Sequence, residues 1–310
     1  MGIITHFYKK NFICRYDKEI GVPYYAYTDF IGLRQEIYSF TNSRRIEITY
    51  FYYYYDNYKT DKIILFCHGL GPGHASYLAE IETLARRGYK VLTLDYTGCG
   101  ESKGKNMISL NTPTSDVIEL LDFLNIKVPI VLVGHSLGGY TALNVINLRD
   151  DIKKAVILSG FLSIKPLLGH FVKSDFIIRH LLKYESKKEP KYYPLNNIDY
   201  LGKTDNQILF IQSDDDQMVP FDIGLGLVEK IDNPCIKKLR LTGRKHNPNY
   251  TDSAVAYMNE VFGGYQKMLN EKKKKTDDEI IAYFKDVSLS RLVEQDQKLF
   301  DQIQDFIERQ

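Results

Sequence analysis

Ile130-Val131-Leu132-Val133-Gly134-His135-Ser136-Leu137-Gly138-Gly139 constrains this chain more than any other stretch. Four consecutive β-branched or leucine residues read as a strand buried on both faces. Gly134-His135-Ser136-Leu137-Gly138 then fits the spacing G-x-S-x-G. That spacing has a steric origin. A serine on a tight strand-to-helix turn is flanked at two residues' distance by backbone that leaves no room for side chains, so both flanks are glycine. The turn pushes the serine hydroxyl out at the carboxyl edge of a parallel sheet. Behind it, Ala142, Val145 and Ile146 fall on one helical face, as a helix packed on a sheet requires.

The neighbouring segments repeat the alternation. Ile63–Cys67, Val91–Asp95, Ala155–Leu158, Ile208–Ile211 and Ile236–Leu241 are strand-length apolar runs. Between them, Ser76–Arg87 carries Leu78, Ile81 and Ala85 at helical spacing and ends at Gly88. Val117, Leu120, Leu121 and Leu124 mark another helix, with Thr114 or Ser115 as its expected cap, and a further one is expected near Phe221–Ile231. Apolar strands alternating with amphipathic helices predict a mostly parallel α/β sheet covered on both faces. Upstream, Glu36–Tyr55 splits at Asn42–Arg45 into two strands, an expected antiparallel hairpin at a sheet edge, with Phe51–Tyr55 as one strand seen on both faces.

One interval breaks the pattern. About 45 residues separate Ser159 from Gln207, too long for a crossover and too apolar for a loop. Residues 160–205 are therefore expected to form a helical cap beyond the strand ends. Residues 1–30 read as an arm of unassigned role, and the last helix, with Leu292, Leu299, Ile303, Phe306 and Ile307, is expected to dock on the sheet. The Lys272–Lys275 run, followed by Asp277, Asp278 and Glu279, reads as a solvated face or hinge.

Lys and Arg number 41 against 39 Asp and Glu, which gives no electrostatic reason to expect nucleic acid or a membrane as partner. Cys14, Cys67, Cys99 and Cys235 form no C-x-x-C pair and are expected to be reduced thiols, with no metal site. No run of about 18 apolar residues exists to span a bilayer. The first residues fit neither a signal peptide nor a myristoylation site, so a cytoplasmic protein is expected.

A serine hydroxyl is a weak nucleophile, so Ser136 needs a base, and the base needs a group that fixes its tautomer. Of the seven histidines, His170 and His180 lie in the expected cap, whereas His246 follows the last strand and emerges at the serine's edge. His246 is the expected base. Three aspartates, Asp214, Asp215 and Asp216, follow the strand Ile208–Ile211, and any of them could be the acid.

At this point the chain resembles a known family over residues 35–310: the α/β-hydrolase superfamily, in its serine esterase, lipase and aminopeptidase-like branch. Asp216-Gln217-Met218-Val219-Pro220 looks like the family's D-x-x-V-P, and the resemblance selects Asp216. His68-Gly69-Leu70-Gly71 looks like its H-G-x-G, which implies the Leu70 N–H as one oxyanion donor beside that of Leu137. Asp95–Ser102 is similar to its D-x-x-G-x-G-x-S turn, read here as structural. The resemblance implies a single α/β-hydrolase domain over residues 1–310, with no cofactor.

The expected reaction is hydrolysis of a small to medium acyl or aryl ester through an acyl-enzyme on Ser136. His135, inside the turn, and Phe171 and Phe176, in the cap, are the expected substrate contacts. Peptidase, amidase or thioesterase chemistry uses the same parts, and a binding protein without turnover is the rival from another class.

Overall fold

A computed structural model describes residues 2–271 and 275–309, so Lys272–Lys274 of the lysine run lie outside the described residues. After helix α1 (Gly2–Phe12), strands β1 (Arg34–Thr41) and β2 (Glu47–Tyr54) form a hairpin. Then β3 (Ile63–Cys67), α2 (Leu78–Arg86), β4 (Lys90–Leu94), α3 (Thr112–Leu124), β5 (Ile130–His135), α4 (Leu137–Leu148) and β6 (Lys154–Leu158) alternate. Helices α5 (Ile164–Phe171), α6 (Asp175–Lys188) and α7 (Asn197–Lys203) intervene before β7 (Gln207–Ser213). The short α8 (Leu225–Val228) leads to β8 (Ile236–Leu241), and α9 (Asp252–Leu269), α10 (Asp277–Phe284), α11 (Leu289–Leu292) and α12 (Gln297–Glu308) follow.

Among the described residues the strands form one sheet in the order β1-β2-β4-β3-β5-β6-β7-β8. The pairs from β4 to β8 are parallel, and β2 joins β4 antiparallel. The central strands are apolar throughout because alternate residues enter opposite layers. In β5, Ile130 and Leu132 face the layer of α3 and α4, while Val131 and Val133 face that of α2 and α12. The aromatic run of β2 divides likewise, Tyr50 to the first layer and Phe51 and Tyr53 to the second. At the opposite edge, β8 carries Lys237, Lys238 and Arg240 along a strand with one free side, charges that discourage pairing with another chain.

Several local expectations are corrected. The Ser76–Arg87 helix is preceded by a 3-10 turn, Gly73–Tyr77, and α2 proper starts at Leu78. Helix α3 begins at Thr112 after Asn111, so Thr114 and Ser115 lie inside it, where they bond Asn144 and Arg44 instead of capping. The segment near Phe221–Ile231 forms a 3-10 turn and the single-turn α8. Leu292 belongs to α11 and to a satellite cluster with Val261, Tyr265 and Phe284, leaving Leu299 to Ile307 as the face that α12 docks.

The arm at the N-terminus is a helix against the α5–α7 insertion. Tyr8 Oη donates to Glu185 Oε1 over 2.7 Å, and the rings of Phe12 and Phe171 lie 5.5 Å apart. Arg15 then donates to the carbonyls of Gly100, Ser102 and Gly104, fixing the arm to the turn after β4.

Backbone crowding around α4 yields a test. A Cβ on Gly138 would stand 1.9 Å from the carbonyl oxygen of Cys67, whereas one on Gly263, in α9, would meet nothing within 4 Å. Gly138→Ala should cost at least about 1–3 kcal/mol in denaturant unfolding. Gly263→Ala should be neutral or stabilise by up to about 1 kcal/mol.

Candidate active site

Ser136 sits between β5 and α4 with φ 57° and ψ −119°, a conformation that costs a non-glycine residue of order 1–3 kcal/mol. Surrounding contacts hold it there. Its N–H donates to the Leu158 carbonyl over 2.9 Å, and its own carbonyl accepts from the Tyr140 N–H in the first turn of α4. A Cβ on Gly134 would lie 2.2 Å from the Gly138 carbonyl oxygen, so the turn closes only with glycine at both flanks. Leu137 opens α4, where the first backbone N–H groups have no helical acceptor.

The neighbouring strand ends bring the acid and the histidine to the same edge. His246 Nδ1 lies 2.9 Å and 3.0 Å from the two carboxylate oxygens of Asp216. Asp216 is buried, and its Oδ1 also accepts the N–H groups of Met218 and Val219 over 2.9 and 3.0 Å. The three successive aspartates have separate partners. Asp214 takes Arg240 and Thr242, Asp215 takes Ser213 Oγ, the Lys245 N–H and the Lys245 ammonium, and Asp216 meets His246. Gln212 steadies the acid loop by donating to Asp216 and the Val219 carbonyl and accepting from the Leu225 N–H.

His135, expected against substrate, is instead buried with both ring nitrogens engaged. Nε2 lies 2.8 Å from the His246 carbonyl oxygen, and Nδ1 lies 2.9 Å from Tyr77 Oη. A carbonyl only accepts, so Nε2 carries the proton and Nδ1 accepts from the tyrosine hydroxyl. Burial, followed by the nearby His246, pushes His135 down to about 3, which keeps the ring neutral. Tyr77 also hydrogen-bonds the Gly69 backbone. One neutral chain therefore joins the loops that carry Leu70, Ser136 and His246. Tyr77 belongs to no motif and was not foreseen; its one sequence signal is a place just before an amphipathic helix.

Other expected residues lie as follows. Leu70 follows Gly69, where a Cβ would stand 3.3 Å from Ser136 Cβ, so this backbone passes beside the serine. Phe171 packs on Phe12 and is 45% exposed, and Phe176 is 59% exposed, so both residues stand partly in solvent. His68 is buried and held neutral, pushed down to about 4 by desolvation. Asp95 accepts the N–H groups of His74 and Glu101, and Ser102 Oγ accepts from the Thr49 N–H, a turn fastened through backbone. Among the described residues no cluster of His, Cys, Asp and Glu could hold a metal ion.

Residues 58–231 match the family described as serine aminopeptidase, S33. The chain belongs to this family of α/β-hydrolases. The match includes Ser136 and Asp216 and ends before His246. The chain is 27% identical over 192 residues to human (Homo sapiens) protein ABHD12B, covering 58% of this chain and 52% of that one. It is 38% identical over 96 residues to an epoxide hydrolase of Caballeronia sordidicola, covering 30% of this chain and 29% of that one. The chain thus matches about half the length, or less, of these curated relatives. Among solved structures, an esterase of Pyrococcus furiosus superposes with a TM-score of 0.58 at 18% identity, over 82% of this chain and 97% of that one, a likeness of fold.

Two measurements probe the electrostatics of this α/β-hydrolase. Histidine 15N spectra should find His135 neutral, with its proton on Nε2, at every pH down to about 4, and Tyr77→Phe should shift the Nδ1 resonance by removing its donor while the His246 carbonyl keeps the proton on Nε2. Behind Tyr77, Glu80 is buried and accepts from Asn249 Nδ2; burial lifts its carboxyl from 4.5 to about 7. The native protein then keeps a proton that the unfolded chain has lost. Its contribution to stability is full below pH 4.5 and declines as pH rises through 7. Glu80→Gln should flatten that decline by about one proton's slope in pH-dependent denaturant unfolding.

Proposed function

We propose that this hydrolase cleaves carboxylic esters through an acyl-enzyme on Ser136. The observation that carries the reading is the Asp216–His246 pair at the sheet edge where the strained Ser136 stands. His246 Nδ1–H donates to Asp216, so Nε2 is the free base. It takes the Ser136 proton as Oγ attacks the ester carbonyl. The oxyanion forms against the N–H groups of Leu70 and Leu137, which need no rearrangement to receive it. His246 returns the proton to the leaving alcohol, and water, deprotonated by the same ring, hydrolyses the acyl-enzyme and restores Ser136. Every step balances without a cofactor. In this scheme the α5–α7 insertion governs which acyl groups enter.

The names of relatives support an ester as the substrate class. The structural neighbour from Pyrococcus furiosus is an esterase, and a relative from Danio rerio, 28% identical over 185 residues with 54% of this chain and 46% of that one covered, is a lysophosphatidylserine lipase. The family description, serine aminopeptidase, supports amide cleavage on the same residues as the second reading.

A fluorophosphonate should label Ser136 alone, seen by intact mass and peptide mapping, and Ser136→Ala should abolish the adduct. p-Nitrophenyl esters of increasing acyl length, beside aminoacyl anilides and thioesters, then separate the two readings by relative kcat/KM. Asp216→Asn should lower kcat by about 10⁴, because the imidazole adopts the wrong tautomer. Asp214→Asn and Asp215→Asn should cost far less. A folded protein with no adduct on Ser136 would overturn the reading.

A further inference from the structure

The near balance of charge over the whole chain conceals a segregation. Residues 2–12 and 164–191 together hold nine lysines and arginines and three acids, so the rest of the chain is net acidic. All nine cations are exposed, and of the acids Asp175 alone is exposed. Glu185 is turned inward to Tyr8, Ser109 and the Leu110 N–H, and Glu189 is paired with Arg44. None of the nine forms an ion pair among the described residues; Lys9 and Lys188 lie over the Tyr184 ring.

Six of these charges, Lys9, Lys10, Arg179, Lys183, Lys187 and Lys188, stand on two neighbouring helices that run the same way. Thr5 Oγ1 lies 2.9 Å from His180 Nε2, and one turn further Tyr8 reaches Glu185, so α1 lies along α6. Ile4, Tyr8 and Phe12 turn α1 inward. The opposite side bears Ile3, 86% exposed, and Phe7, 63% exposed, with Lys10 one turn beyond Phe7. On α6 the exposed stripe begins at Phe176 and continues as Arg179, Lys183 and Lys187, one turn apart. Exposed apolar side chains thus stand toward the start of each helix, and cations follow behind them.

We propose that this α1–α6 ridge docks on an anionic lipid surface. Ile3, Phe7 and Phe176 would enter the boundary between headgroups and acyl chains, and the flanking cations would neutralise the headgroups. Neither helix can span a bilayer, and none among the described residues is long and apolar enough to do so. The mode is therefore interfacial. An aliphatic residue such as Ile3 gains nothing from stacking on bases, which favours lipid over nucleic acid as the occupant. The proposal does not depend on the reaction at Ser136.

Sedimentation of the full chain with phosphatidylcholine vesicles, with and without phosphatidylserine, tests it. The expected result is binding to the phosphatidylserine vesicles alone, reversed by salt. Combined Arg179→Glu, Lys183→Glu and Lys187→Glu should weaken binding at least about a hundredfold, at about fivefold for each cation near the surface. Ile3→Ser with Phe7→Ser should weaken it several-fold, and circular dichroism should find both variants folded. Should the charge-reversed protein not fold, Lys9→Gln with Lys10→Gln, both at solvent-facing positions, gives the same reading at a smaller loss. Absence of binding, equal binding to both vesicle types, or binding untouched in folded variants would overturn the proposal. So would tighter association with an RNA or DNA oligonucleotide than with the anionic vesicles.

Discussion

Everything at the candidate site depends on how closely α4 approaches β3 and β5. The approach is set by missing side chains. Gly138 lets the first turn of α4 rest on the Cys67 carbonyl, and Gly139 lets it pass the backbone of Gly160. With larger residues there, α4 would lift off the sheet and Ser136 would relax out of its left-handed conformation. The conformational cost at one residue is carried by the burial of the rest of α4, where Ala142, Leu143 and Val145 are wholly enclosed. A polar group is thereby fixed at a sheet edge by apolar packing several residues away.

The histidine loop is held by a different principle, the matching of donors to acceptors in a buried setting. His246 is gripped at two points, its ring by Asp216 and its carbonyl by His135. The link from His135 on to Tyr77 works only while His135 is neutral. A charged imidazolium there would stand with its centroid 4.7 Å from the His246 ring, and its Nδ1 proton would face the Tyr77 oxygen instead of accepting from it. Desolvation prevents this. The cost of burying a charge, usually a liability, here keeps the ring neutral, and the His246 carbonyl then sets its tautomer.

Legibility in the sequence followed periodicity and spacing. The buried strands could be read because each side chain is apolar on both faces, and the turn at Ser136 because glycine spacing records a steric demand. The separate duties of Asp214, Asp215 and Asp216 could not be read from the residues, since three adjacent carboxylates differ in direction and not in type. The place of His135 was hidden for a related reason: its neighbour is the serine, but its ring is buried and bonded to Tyr77. In the insertion, the surplus of apolar residues suggested a pocket wall. Phe171 and Phe176 are both exposed, and hydrophobicity alone does not tell an inner from an outer face. A whole-chain charge sum likewise erased the basic ridge.

The α5–α7 segment is tied to α4 by polar groups. Glu185 of α6 is the junction. It accepts from Tyr8 on one side and from Ser109 and the Leu110 N–H on the other. The adjacent Asn111 accepts from Tyr140 Oη, and Tyr140 lies in the first turn of α4, its N–H on the Ser136 carbonyl. A second tie runs from Glu189 through Arg44 to the buried Asp116 of α3. Burial raises the Glu185 carboxyl to about 7, so this junction is held at the edge of ionisation while three donors converge on it. A continuous path of hydrogen bonds thus runs from the surface helix α1 to the backbone of Ser136. Displacing α1 would remove one of the three donors to this buried group, a cost that holds the arm against α6.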